Sequence, residues 1–346
     1  MQVILFVGLS ACMAISYKVW FTKIAFPRQP ILDFILPQEL IIGGSVLLLG
    51  LFVWYLFKFS SLFLPMLSVS VIIGLYLIDL HLLQPWLWMT MSFLLMLIPF
   101  AKRYYYYQNL STILKSMQIY VALIYIFSGM HKINPYYLDL SVEFYLRPLT
   151  GYLWQIRDEI LKVFSISAYV EIALGIGLLF SLISPWVKFA LIAMHLFVLA
   201  MLGPFGLNFN PTLWPWNIQL ILLLLVLFPR NQEPFKVKWR IFINTRPFNY
   251  ILVGSILLFA LTKLNLANPY TSFYLYSGTN FYPNAKVLKN DVKQIPHYMN
   301  DAYIFGDSLQ VNYFDIYFYD YLIPPCPSPR CKERTPEQLV EILKRE

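Results

Sequence analysis

The chain has 346 residues, of which 59% are hydrophobic and only 13% charged, and long apolar runs recur along most of it. That composition excludes an ordinary soluble globular domain and reads as a polytopic membrane protein, with the lipid bilayer as its first partner. A formal net charge of +8 would point to nucleic acid in a soluble protein, but here Lys and Arg sit mainly in short links between apolar runs, so they report topology and no nucleic-acid partner is expected.

In chain order, Met1 to Trp20 is apolar, without a basic n-region or a small-residue cleavage site, and reads as a retained first helix. Cys12, inside it, is a packing residue. Hydropathy predicts roughly nine spans, at about 2–20, 40–57, 61–84, 86–100, 111–130, 166–183, 187–203, 215–229 and 248–266. The fourth and eighth are short, which suits tilted helices or helices that begin inside protein rather than lipid. The connection 133–165 carries mixed charge and aromatics, as an amphipathic helix along the interface would.

Orientation follows from the basic residues. Lys58, then Lys102, Arg103 and Lys115, then Lys188, then Arg230 through Arg246 fall on alternate connections, which places those connections in the cytoplasm. The opposite side receives 85–86, 131–165, 204–214 and everything after about 267. Lys18, Lys23 and Arg28 run against this scheme, so the first span or the segment 21–39 is its weakest element.

The expected fold is therefore mainly α: a polytopic helical membrane bundle of about eight to nine spans over 1–267. A small C-terminal extracytoplasmic α+β domain follows over 268–346. In it, Leu309 to Tyr313 alternates at strand period, and the aromatic run to Tyr321 continues as sheet. Thr335-Pro336-Glu337-Gln338 opens a helix with a threonine cap, proline at the first helical position and glutamine three residues after the cap. Cys326 and Cys331 flank a proline-stiffened loop. Their spacing predicts a disulfide in an oxidising compartment, with free thiols as the alternative.

Four spans bring ionisable groups to the outer half or middle of the membrane. His81 stands at the outer end of the third, His131 and Lys132 end the fifth, Glu171 lies one to two turns into the sixth, and His195 is near mid-depth of the seventh. Such residues are costly in hydrocarbon unless paired or facing a cavity, so the grouping points to a site. Each has a plainer reading. Lys132 either snorkels to the headgroups or serves as a desolvated amine base. His195 is a hydrogen-bonded core histidine or a site residue, and His81 is part of an interfacial belt with Trp86 and Trp88 or part of the site. Glu171 needs a cation or a proton, and Lys132 or His195 is the natural partner. His131 and Lys132 point about 100° apart on a helix, so they cannot both face one cavity. The Gly203 to Pro211 segment, with Asn210, is either a lid over a cavity or a plain turn. No His-x-x-x-His or Cys-x-x-Cys spacing supports a metal site.

Three segments carry a family resemblance. Tyr125-Ile126-Phe127-Ser128-Gly129-Met130-His131-Lys132-Ile133-Asn134, Glu171 through Phe180, and His195 to Trp214 resemble, in that order, motifs of the HTTM (horizontally transferred transmembrane) proteins. Gln84-Pro85-Trp86 is similar to a segment of bacterial members. The best-studied relatives are the vitamin K-dependent γ-glutamyl carboxylases, and the similarity covers about residues 1–230. It implies that Lys132 is the base that deprotonates a reduced quinone of the menaquinone or vitamin K class. Beside it, the reading of the residues has Glu171 and His195 orient the substrate or relay protons, and takes His81, Trp86, His131 and Asn210 as candidate substrate-binding residues. A companion histidine of the carboxylases falls near Trp86, where this chain has none, and their large lumenal domain is replaced by unrelated residues, so peptide carboxylation is not expected.

The leading expectation is thus a bacterial inner-membrane protein with an intramembrane site facing the periplasm, acting on a quinol or another lipophilic small molecule. Second is a non-enzymatic scaffold or assembly subunit that binds an extracytoplasmic protein through 268–346. Third is a transporter, for which no internal repeat speaks.

Overall fold

The computed structural model describes residues 1–22, 31, 36–58, 61, 63–98, 103–180, 183–208, 210–229, 246–273, 284–288, 304–305 and 308–312. Twelve α-helices fall among them: α1 Gln2–Ile15, α2 Tyr17–Phe21, α3 Gln38–Phe57, α4 Phe63–Ile78, α5 Pro85–Leu97, α6 Arg103–Lys132, α7 Val142–Tyr152, α8 Arg157–Ser165, α9 Ser167–Gly177, α10 Ser184–Leu202, α11 Leu213–Leu227 and α12 Arg246–Lys263.

Three of the described helical stretches are long and apolar enough to cross a membrane: Gln38–Phe57, Ile113–Lys132 and Pro185–Leu202. Trp154–Ser165 with Ser167–Gly177, bent by 40°, makes a fourth if counted as one span. Five shorter apolar helices complete the set of segments where spans were expected. A 15-residue helix such as α11 is only about 23 Å long against a hydrocarbon core of about 30 Å. Aliphatic and aromatic side chains cover the outward faces of these helices, among them Val46, Trp54, Phe189, Leu196, Val226 and Val253, all at least half exposed. Water is a poor solvent for such a surface and a bilayer is a good one.

The expected spans are modified where polar side chains intervene. The first breaks at Ser16, whose hydroxyl donates to Cys12 O at 2.7 Å and accepts from Trp20 Nε1 at 3.0 Å. The third ends at Ile78 instead of 84, because Asp79 caps a separate 3-10 turn at Leu80–Leu82. Pro85, which has no N–H to leave unpaired, then starts α5. This helix is buried on nearly every side and forms the middle of the bundle. Trp86 at its start meets Trp20 edge-on, with centroids 5.7 Å apart.

At one end of the bundle, Lys188 Nζ donates to Phe228 O at 2.7 Å and Gln118 Nε2 donates to Leu227 O at 2.5 Å. These bonds occupy carbonyls that the end of α11 leaves open. At the other end, α10 turns into α11 through a tightly bonded loop. Leu207 N donates to Met201 O at 2.8 Å, and Asn208 and Asn210 adopt positive φ of 50° and 48°. A Cβ on Gly206 would collide with Met201 O, so only glycine fits there. Asn210 Oδ1 accepts from Thr212 Oγ1 at 2.6 Å, and Leu213 N donates to Asn210 O at 2.9 Å. The segment is thus a fixed turn that sets α10 against α11.

After α12 the chain folds back into the bundle. Asn268 Oδ1 accepts from Tyr270 N at 3.0 Å and starts a 3-10 turn over Pro269–Ser272, whose residues are buried. Further on, β1 (Asn284–Leu288), β2 (Ile304–Phe305) and β3 (Ser308–Asn312) form an antiparallel sheet in the order β1-β3-β2, with Leu309 opposite Val287 and Ile304. The strand expected from Leu309 is present. The helix expected from Thr335 and the disulfide expected between Cys326 and Cys331 lie outside the described residues.

Candidate functional site

The site begins with the most extensive helix contact in the described bundle, between α6 and α9. Glycines make it close. A Cβ on Gly129 would lie 2.7 Å from Ala168 O, and one on Gly175 would lie 3.0 Å from Ala122 O. Backbones that approach this near hold the side chains around them in register, as small residues do at membrane helix crossings. Lys132 follows Gly129 by one turn on α6, and Glu171 lies between Ala168 and Gly175 on α9. Their side chains meet: Lys132 Nζ donates to Glu171 Oε2 at 2.5 Å, with the two side chains only 16% and 8% exposed. The ammonium turns inward to a carboxylate. The Tyr137 ring lies 6.0 Å from Nζ, and Tyr137 Oη is 3.1 Å from Ser167 Oγ.

A second polar chain runs beside this pair. Asn217 Nδ2 donates to Leu213 O at 2.8 Å, which leaves Oδ1 to accept from His195 Nδ1 at 2.6 Å. With its proton on Nδ1, neutral His195 presents a bare Nε2, and Tyr125 Oη donates to it at 2.7 Å. Three helices contribute: Tyr125 from α6, His195 from α10 and Asn217 from α11. All three residues are buried.

Two adjoining cavities give the arrangement its access. The outer one, ≈160 Å³, is walled largely by apolar side chains of α7, α8 and α10, including Tyr145, Leu146, Phe164 and Phe197. Phe164 stacks on Phe197 with centroids 5.1 Å apart and so ties α8 to α10. The inner one, ≈100 Å³, is bordered by Tyr125, Ser128, His195, Trp216, Asn217 and Phe273. Lys132 and Glu171 belong to the walls of both. The ion pair therefore stands where a mostly apolar outer space meets a more polar inner one.

The other candidate residues are elsewhere. His81 is fully buried, with Nδ1 2.8 Å from Asp79 Oδ1 and its backbone N donating to the same oxygen at 3.0 Å, while Gln84 Nε2 donates to His81 O at 2.8 Å. His131 turns away from Lys132, as their helical offset requires, and its Nε2 lies 2.9 Å from Ser272 Oγ. Trp86 packs on Trp20, and Asn210 shapes the α10–α11 turn. None of these four lines either cavity. Among the described residues, no three His, Cys, Asp or Glu side chains cluster as metal ligands do.

Tyr125 and Asn217 were not picked out from sequence, although a signal existed for each. Tyr125 precedes Lys132 by seven residues, two turns along one face of α6. Asn217 is an amide within an apolar run, and such a group needs a partner inside the membrane. Compared with protein-family models, curated proteins and solved structures, the chain matches none.

Proposed function

We propose that this chain is an integral membrane protein whose Lys132–Glu171 pair performs acid–base chemistry on a lipophilic hydroxyl compound, with a quinol as the preferred class. The observation that carries the reading is the position of the pair, at 2.5 Å and mostly buried, in the shared wall of two cavities. An ion pair held away from water has a large electrostatic effect on whatever hydroxyl enters beside it. The two groups act as a unit, sharing one proton along the Nζ–Oε2 axis and taking up another from the substrate. His195, held by Asn217, offers Nε2 to Tyr125, so a proton arriving at the Tyr125 hydroxyl has an acceptor already in line. The apolar outer cavity suits a hydrocarbon tail that continues into the bilayer, because ≈160 Å³ is smaller than the roughly 300 Å³ at which pockets begin to enclose a drug-sized molecule.

In this reading all nine apolar helices cross the bilayer, the short ones tilted or sheltered by their neighbours, in a bacterial inner membrane with 268–346 on the periplasmic side. The motif resemblance to HTTM proteins over Tyr125–Asn134 supports the same role for Lys132. Peptide carboxylation is not part of the proposal. The test is oxidation of decyl-benzoquinol by dissolved dioxygen, which is reduced to hydrogen peroxide, in the presence of the purified protein in nanodiscs: Lys132→Met should lower the rate by about 10²-fold or more, and unchanged turnover in a folded variant rejects the assignment.

A further inference from the structure

The inner cavity has one wall that does not come from the helices. Phe273, the residue after the buried 3-10 turn, lines it directly. The ring is 2% exposed and meets Tyr120 edge-on, with centroids 6.0 Å apart. Its backbone is left-handed, at φ 60° and ψ 35°, a conformation that strains a bulky L-residue and is adopted freely only by glycine. Such strain persists only where the surroundings fix it. Here they do: Asn268 caps the turn, and Ser272 Oγ lies 2.9 Å from His131 Nε2 and 3.0 Å from Thr262 Oγ1. The chain thus holds a large ring in the cavity wall at a position where glycine would sit without strain.

The space left is small. An apolar cavity of about 150 Å³ accommodates one benzene ring, so the inner cavity, at ≈100 Å³, has room for the polar edge of one ring whose remainder lies beside the ion pair in the adjoining cavity. We propose that Phe273 is a specificity-determining residue that limits the ligand's polar head to a single compact ring and excludes two fused rings, and with them the menaquinone and vitamin K class that the resemblance implies. The proposal rests on the reading that the Lys132–Glu171 site takes a lipophilic ring compound. Its chemical content is a size limit: the head reaches past the ion pair toward Tyr125 and His195, and the Phe273 ring meets it at the far wall.

The experiment compares Phe273→Ala, Phe273→Gly and the unaltered full-length protein in nanodiscs, using decyl-benzoquinone and decyl-naphthoquinone as probes. Binding of each is read from quenching of intrinsic tryptophan fluorescence. Both probes carry the same tail, and because all three proteins sit in the same bilayer, the different partitioning of the two ring systems cancels when the affinity ratio of one protein is compared with that of another. The unaltered protein should prefer the single ring, and both variants should shift the ratio toward the fused rings by about tenfold, the scale at which pockets discriminate by size. Phe273→Gly should melt above Phe273→Ala, because only glycine relieves the left-handed backbone. If Phe273→Ala fails to fold, Phe273→Gly carries the test alone. An unchanged ratio in a folded variant overturns the size limit. Binding requires no turnover, so the outcome is separate from that of Lys132→Met: loss of turnover in that variant with an unmoved ratio here would leave the acid–base reading standing without this inference, and the converse would leave the size limit without the chemistry.

Discussion

Two buried clusters of ionisable residues can be set side by side. Lys132, Glu171 and His195 border two cavities, whereas Asp79 and His81 bond to each other and to neighbouring backbone in a closed turn before α5. Both satisfy the rule that buried charges and polar groups are paired. Both described cavities border the first cluster, and neither is lined by Asp79 or His81. Burial and pairing therefore identify groups that the fold must accommodate, and a bordering cavity is what sets the first cluster apart as the candidate site.

The comparison is most sharply tested by function. Lys132→Met should lower quinol turnover by about 10²–10⁴-fold, the usual weight of a positioned acid–base group, whereas substitutions in the Asp79 turn should leave turnover per folded molecule unchanged. Stability offers the next largest effect. Either Lys132→Met or Glu171→Gln leaves a buried partner uncompensated, at a cost of about 3–5 kcal/mol, and the double variant should recover much of that loss. Chemical denaturation in mild detergent measures the cycle, and additive losses would mean that the pair is not coupled.

Gly129→Ala probes how the site is built. Its Cβ would lie 2.7 Å from Ala168 O, so α6 and α9 must separate, at about 1–3 kcal/mol, with turnover falling as Lys132 moves from Glu171. Normal stability and turnover would show that the crossing is looser than its geometry implies. Asp79→Ala removes the cap of the turn at Leu80–Leu82 and should cost about 1–2 kcal/mol in thermal unfolding. Smallest is Gly43→Ala on α3, where an added Cβ meets nothing within 4 Å; stability should change by less than about 1 kcal/mol.

Much of the bundle was legible in the sequence because hydrophobic periodicity and length act locally. The nine apolar segments recur as helices near the expected places, and the amphipathic connection 133–165 appears as α7 and α8. The errors are local as well. The third span stops at Ile78 because a single carboxylate at Asp79 captures two donors from His81, a competition that average hydropathy does not register. The Gly203–Pro211 loop, which the sequence left between lid and turn, proves to be a bonded turn around Gly206 and Asn210.

The sequence by itself determined that the chain is helical and apolar, and that Lys132, Glu171 and His195 are polar groups in or at the ends of apolar helical runs, where each needs a partner. Those conclusions follow from the cost of placing charge and unpaired backbone in hydrocarbon, which depends on composition and spacing alone. Tertiary structure alone decided which partners they find. It paired Lys132 with Glu171 across the glycine-lined α6–α9 crossing, placed Tyr125 and Asn217 on either side of His195, and sent His131 to Ser272. It also brought Phe273 back to the inner cavity from beyond the last helix of the bundle. The reason is that hydrogen bonds and close packing act over a few ångströms between residues tens to hundreds of positions apart, and no local pattern in the sequence encodes which of them will meet.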